Sequence, residues 1–273
     1  MSLAATVLAV FALAAAGFVP LNIAWLRDMR ESRVVLLGSG DRLSVLVLAG
    51  DSRLLIATGD DPIAFGNALE RQRRPTQRRL DLAFVAGAGD DVLVPAAVAA
   101  DPGVRLLAAL VPFAQAPDHT VLRGLPALSA PRRIILGDGV VVTLEPIPAA
   151  DDEVAAWRAI VERNDARIVI LSDGSAAGRF SPPPASGLLV IAGGKPLEAW
   201  GEAPTIALAH ADKAITPRKL RDAAAGGASV PRYDVRVHPG DSVAVRFVES
   251  GIALPQDATI ALGAAPVAPH EAP

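Results

Sequence analysis

Two short stretches decide how this chain is read: Leu37-Gly38-Ser39-Gly40-Asp41 and, further on, Leu54-Leu55-Ile56-Ala57-Thr58-Gly59. Each ends an apolar run in a glycine-containing segment. Residues 34–37, 43–48 and 54–56 are strand-like, and Gly50-Asp51-Ser52 supplies the turn between the second and third runs. Asp61-Pro62 follows as an N-cap and first-turn proline. Ile63, Phe65 and Leu69 then begin a helix that runs into a group of arginines.

Outward from there the pattern repeats. Residues 80–85, 104–110, 132–136 and 140–144 are further strand candidates. Asp151 or Asp152 is expected to cap a helix in which Val154, Trp157, Ile160 and Val161 fall at helical spacing, leading to an apolar run at 167–171. Residues 188–191 and 205–208 are again strand-like. Thr216-Pro217 opens a helix through Leu220 that Gly226-Gly227 closes, and strands at 243–248 and 259–262 finish the pattern. The order predicts an α/β fold of two β-rich halves with helices packed outside, a four-layer αββα sandwich spanning residues 34–262. The Ala/Pro-rich tail, 263–273, lacks apolar periodicity and is expected to be disordered.

The composition excludes several function classes. Hydrophobic residues make up 51% of the 273, with only 7 Phe, 3 Trp and 1 Tyr, so the core is made of Ala, Val, Leu and Ile, which suits buried strands. A net charge of −3 gives no global field toward polyanions, and any such attraction must be local. With no cysteine, disulfides, thiolate chemistry and Cys-type zinc sites are all absent. The 4 histidines, His119, His210, His238 and His270, are scattered and never paired, whereas a zinc site without cysteine needs several imidazoles converging.

Residues 1–26 carry no charged side chain, and roughly 20 apolar residues suffice to cross a bilayer core. They are expected to form a single transmembrane helix with Trp25 at the interface, followed by a juxtamembrane linker at 27–33 containing Arg27, Arg30 and Arg33. A cleaved signal peptide is the competing reading. Against it, no Lys or Arg precedes the apolar run and the run is longer than an ordinary signal core, although Ala14-Ala15-Ala16-Gly17 has the small residues of a cleavage site. The arginine excess beyond the apolar run points the domain to the cytoplasm by the positive-inside rule. Asp28 and Glu31, interleaved, add little either way, so the side is not fixed.

The two opening stretches resemble the start of the metallo-β-lactamase-fold domain of DNA-internalisation competence proteins, which reads V-G-Q-G-D and then L-L-I-D-T-G. Gly38, Gly40 and Asp41 match the first motif. Leu54, Leu55, Ile56, Thr58 and Gly59 match the second, with Ala57 in place of its aspartate. Residues 80–85 look like the strand that delivers the metal motif T-H-x-D-x-D-H. Here Gly87 and Val92 stand at the histidine positions, Gly89 at one aspartate, and Asp91 alone falls on a ligand position. Ile170-Leu171-Ser172-Asp173 is similar to L-T-G-D, whose aspartate bridges two metals. Residues 186–195 are similar to D-V-L-K-V-G-H-H-G-S, with Ala192 and Gly193 at the histidine pair. Residues 205–211, 216–220 and 233–247 follow the family's closing order, so the resemblance covers about residues 34 to 248.

What the resemblance implies is a fold whose hydrolytic chemistry uses one or two metals to activate water. It leaves only the vestigial positions Asp91 and Asp173, so no metal, no cofactor and no catalytic residue is expected. Asp173 is read as a strand-end carboxylate binding backbone N–H groups, and Asp90 and Asp91 as a turn or helix cap. Asp118-His119 and His210-x-Asp212 are read as surface pairs, and Gly193-Gly194-Lys195 as a turn rather than a phosphate loop. Arg71, Arg73, Arg74, Arg78 and Arg79 place five cations within nine residues: a solvated helix end, or a contact for DNA or anionic headgroups. The expected function is a membrane-anchored, catalytically inactive pseudoenzyme acting as a structural or interaction module, with a protein partner in a membrane assembly. The alternatives are a metal-dependent hydrolase or nuclease of DNA uptake and a DNA- or lipid-contacting accessory.

Overall fold

Strand alternation builds two sheets and leaves one side of the first to helices. The structure, a computed structural model, describes residues 31–72, 79–87, 91–111, 113, 120–147, 155–181, 186–193, 205–211, 233–249 and 251–254. The first half runs β1 (Arg33–Gly38), β2 (Leu43–Ala49), β3 (Ser52–Ala57), α1 (Pro62–Glu70), β4 (Leu80–Val85), α2 (Leu93–Ala99), β5 (Val104–Ala109) and α3 (Thr120–Arg123). The second half runs β6 (Arg132–Ile135), β7 (Val141–Ile147), β8 (Ala156–Arg163), β9 (Ala166–Leu171), β10 (Ser186–Ile191), β11 (Thr205–Ala211) and β12 (Tyr233–Val237). β13 (Ser242–Val248) and β14 (Gly251–Ala253) then return to the first sheet. The sheet orders are β14-β13-β1-β2-β3-β4-β5 and β12-β11-β10-β9-β8-β7-β6, seven strands each.

Alternate residues of β1–β3 face opposite layers. Val34, Leu36, Val45, Val47, Leu54 and Ile56 join Val142, Leu144, Trp157, Val161 and Ile168 in the core between the sheets. Val35, Leu37, Leu46 and Leu55 pack on the other side with Phe65 and Leu69 of α1 and Val94 and Val98 of α2. These make three layers of the expected four. The helix expected at Thr216–Leu220, the strand at 259–262 and the tail at 263–273 lie outside the described residues, as do residues 1–26.

Asp61 caps α1 as its sequence implies, accepting from Ile63 N (3.0 Å) and Ala64 N (2.8 Å) with Pro62 in the first turn. The helix ends at Glu70, and Arg71 is its C-cap. The helix expected through Trp157, Ile160 and Val161 is instead the strand β8, paired antiparallel to β7 and β9. Both faces of β8 are buried, so its apolar residues lose the clean two-residue alternation and mimic helical spacing. Asn164, at φ +52°, turns β8 directly into β9.

Strand direction sorts the molecule into two poles. β3–β5 are parallel, as are β9–β12. Their C-terminal ends meet at one pole, where Leu43 N bonds the Ala192 carbonyl and Gly38 N the Asp241 carbonyl, each at 2.9 Å. The opposite pole is made of turns. There Ser32 Oγ donates to Asp138 Oδ2 (3.2 Å) and Arg163 Nε to the Asp138 carbonyl (3.2 Å). Loops beyond the C-terminal strand ends are where open α/β sheets place ligands, so the first pole is the place to look for a site.

Candidate functional site

One half of this pole is a buried hydroxyl cluster. Ser39 Oγ (2.7 Å) and Ser44 Oγ (2.8 Å) both donate to the Thr58 carbonyl. Thr58 N donates back to Ser44 Oγ (3.0 Å), and Thr58 Oγ1 donates to the Leu43 carbonyl (2.7 Å). All three side chains are buried. The glycines beside them are required by backbone approach. A Cβ on Gly38 would lie 2.0 Å from the His238 carbonyl oxygen. One on Gly59, at φ +119°, would lie 2.3 Å from the Ser39 carbonyl oxygen. The matching motif residues here thus have backbone work to do that is independent of any metal.

The other half contains the positions at which the resemblance expects ligands, and the structure brings them together around a residue the sequence did not single out. Arg42, in the turn between β1 and β2, donates from Nε to Asp91 Oδ2 (2.8 Å) and pairs with the same oxygen through Nη2. The two side chains are 27% and 19% exposed, so the pair is largely withdrawn from solvent. The guanidinium also closes the space beside Gly193. A Cβ there would lie 2.0 Å from Arg42 Nη1, 2.5 Å from the Ser172 carbonyl oxygen and 2.7 Å from Asp173 Cβ. A Cβ on Gly87 would lie 2.2 Å from the Asp91 carbonyl oxygen. Neither glycine position admits an imidazole without backbone movement.

Asp173 does what a strand-end carboxylate was expected to do. It caps the 3-10 turn Gly174–Arg179, accepting from Ala176 N (3.1 Å) and from the Ser175 hydroxyl. Asp91 lies in a turn, the first of the two readings given for it, and does not cap a helix. The cap of α2 is Val92, which makes no side-chain cap bond, and the Asp91 carboxylate turns to Arg42 instead. Val92 is buried against the helical layer. Asp90 lies outside the described residues.

A catalytic zinc keeps about three protein ligands. Here one vestigial carboxylate faces a guanidinium and the other is engaged in a cap, while Gly87, Val92, Ala192 and Gly193 offer no side-chain donor. Among the described residues no group of three or more His, Asp or Glu side chains is placed to hold a metal ion. The metal implied by the resemblance does not fit these residues.

His210 overturns the surface-pair reading. It is fully buried near the end of β11, with Nδ1 2.8 Å from the Ala211 carbonyl, because β11 is an interior strand between β10 and β12. Asp118, His119, Asp212, Gly194 and Lys195 lie outside the described residues. Of the arginine cluster, Arg71 is paired with Asp241 (2.6 Å) and Arg79 is exposed just before β4, whereas Arg73, Arg74 and Arg78 are outside the described residues. Arg42 was missed because its partner lies 49 residues away in sequence. A single arginine after a glycine turn carries no spacing signal, and only the folded register identifies it.

No family model matches the chain, and no curated protein matches it either. Among solved structures it is similar to a HARLDQ-motif mutant of a metallo-β-lactamase from Cronobacter sakazakii. That likeness has 20% identity and a TM-score of 0.35 over 55% of this chain and 64% of the other, so it spans less than two thirds of that enzyme. It is also similar to the metallo-β-lactamase MIM-1 from Novosphingobium pentaromativorans, at 15% identity and a TM-score of 0.36, over 77% of this chain and 75% of that one.

Proposed function

We propose that this chain is a membrane-anchored, catalytically inactive metallo-β-lactamase-like domain that serves as a structural or interaction module. The observation that carries the reading is the Arg42–Asp91 pair beside Gly193. A protein cation lies against Asp91, one of the two aspartates that the resemblance leaves at ligand positions, and the adjoining position is too close-packed for a ligand side chain. Opposite charge and hydrogen bonding satisfy Asp91 without an ion, and the strand ends are held by protein alone. The relation to competence-type domains rests on the order and spacing of the motifs from Gly38 to Phe247, and the membrane role on the uncharged length of residues 1–26. Fold without its reactive groups does not carry activity.

The test is to purify the protein in zinc- and manganese-supplemented buffer, measure metal by elemental analysis, and assay a generic phosphodiester and a β-lactam. Substoichiometric metal and background hydrolysis are expected. Near-stoichiometric metal with activity abolished by Asp173→Ala would establish the hydrolase instead. For the anchor, the protein is expected to require detergent, and a mature N-terminus near Gly17 by intact mass would establish a signal peptide.

A further inference from the structure

The chain enters the domain at the turn pole. Residues just before β1 are already fixed there: Phe247 N bonds the Ser32 carbonyl (3.1 Å), Ser32 Oγ bonds Asp138, and Glu31 pairs with Arg246 (3.5 Å). If the bilayer ends at Leu26, as the anchor reading has it, only the four residues Arg27–Arg30 lie between membrane and domain. Four residues reach at most about 14 Å. β1 alone, six residues from Arg33 to Gly38, runs about 20 Å toward the other pole.

Two surfaces compete for the bilayer. The turn pole exposes Asp51, Asp138, Asp165 and Glu249 together with Asn164, Arg246, Ile135 (73%) and Val248 (39%). The Arg42 pole carries exposed apolar side chains at the start of two helices, Ile63 (76%) and Leu93 (44%). Both flank Gly59, whose carbonyl accepts from Val94 N (3.1 Å). Ile135 and Val248 give the turn pole about as much apolar exposure as Ile63 and Leu93 give the other, so apolar exposure does not choose between them. The leash does, because it is too short to bring Ile63 and Leu93 to the bilayer.

We propose that the domain is held with its turn pole facing the bilayer and its Arg42–Asp91 pole, with Ile63 and Leu93, facing away. This rests on the anchor reading and goes beyond it by fixing which surface faces the membrane. The same pole carries Arg163 and Arg246 and the leash adds Arg27 and Arg30, so its charge is mixed and the short leash, not attraction to headgroups, sets the orientation.

The absence of cysteine makes the test direct. Single-cysteine variants of the full chain, Asp165→Cys and Asp51→Cys at the near pole and Ile63→Cys and Asp41→Cys at the far one, are fluorescently labelled in phosphatidylcholine vesicles containing a headgroup-nitroxide lipid. Thermal unfolding checks each variant, and the second of each pair replaces a first that fails to fold. Quenching is expected to be several-fold stronger at position 165 or 51 than at position 63 or 41, and to even out when a long Gly-Ser insert follows Arg30. Equal or stronger quenching at the far pole, or a difference that survives the insert, overturns the proposal. Flotation of the same samples separates the two readings. Protein that fails to float removes the anchor and the orientation together, whereas floating protein with inverted quenching removes the orientation alone.

Discussion

Two neighbourhoods at one pole have been treated differently. Around Ser39, Ser44, Thr58 and Gly59, backbone groups depend on buried hydroxyls and on glycines that admit no Cβ. Around Asp91, Asp173 and Gly193, at the same pole, an ion pair takes that place, with Arg42 set between Asp91 and Gly193. The difference teaches that the strand ends of one pole are held by two means. One is a set of neutral hydrogen bonds from buried hydroxyls to backbone. The other is a charge pair in which a guanidinium satisfies a carboxylate.

Substitutions break this comparison in order of expected size. Gly59→Ala forces a Cβ against the Ser39 carbonyl at a positive φ, and is expected to cost about 3–4 kcal/mol by urea unfolding. A near-neutral result would mean that the turn is free to relax. Ser44→Ala leaves the Thr58 N–H without its partner and is expected to cost about 2 kcal/mol. Arg42→Ala is expected to cost less, about 1–2 kcal/mol, because the pair is neither fully buried nor fully exposed. In a double-mutant cycle with Asp91→Ala the two losses should not add. Additive losses would show that Arg42 and Asp91 act separately.

The smallest effect is expected from replacing Arg71, Arg73, Arg74, Arg78 and Arg79 by Gln. Arg71 already has its counter-ion in Asp241, so elution from a heparin column should barely move. A clear shift to lower salt would instead assign the cluster a polyanion contact.

Much of the frame was legible because it rests on local chemistry. Asp61-Pro62 announces α1, the runs at 34–37, 43–48 and 54–56 became β1, β2 and β3, and the order of motifs pointed to a two-sheet sandwich. β8 was misread because burial on both faces erases alternation, the one periodic signal a strand has. The start of α2 was misplaced because Val92 caps it without a polar side chain. At the site, sequence could show which donors were missing but not what replaced them. Arg42 meets Asp91 through the pairing of β1, β2, β3 and β4, a relation that exists only once the first sheet is assembled.

The central claim is that the pole is complete with a protein cation in place of a metal. Its most direct test is thermal unfolding of the full chain in detergent, with excess zinc or manganese and again with chelator. A site occupied at one hundred times its Kd adds about 2.7 kcal/mol to the folded state, a rise of several degrees in Tm for a domain this size. Coincident unfolding curves with metal and with chelator are predicted. A Tm raised by metal in the wild-type protein, and lost in Asp173→Ala, would contradict the account.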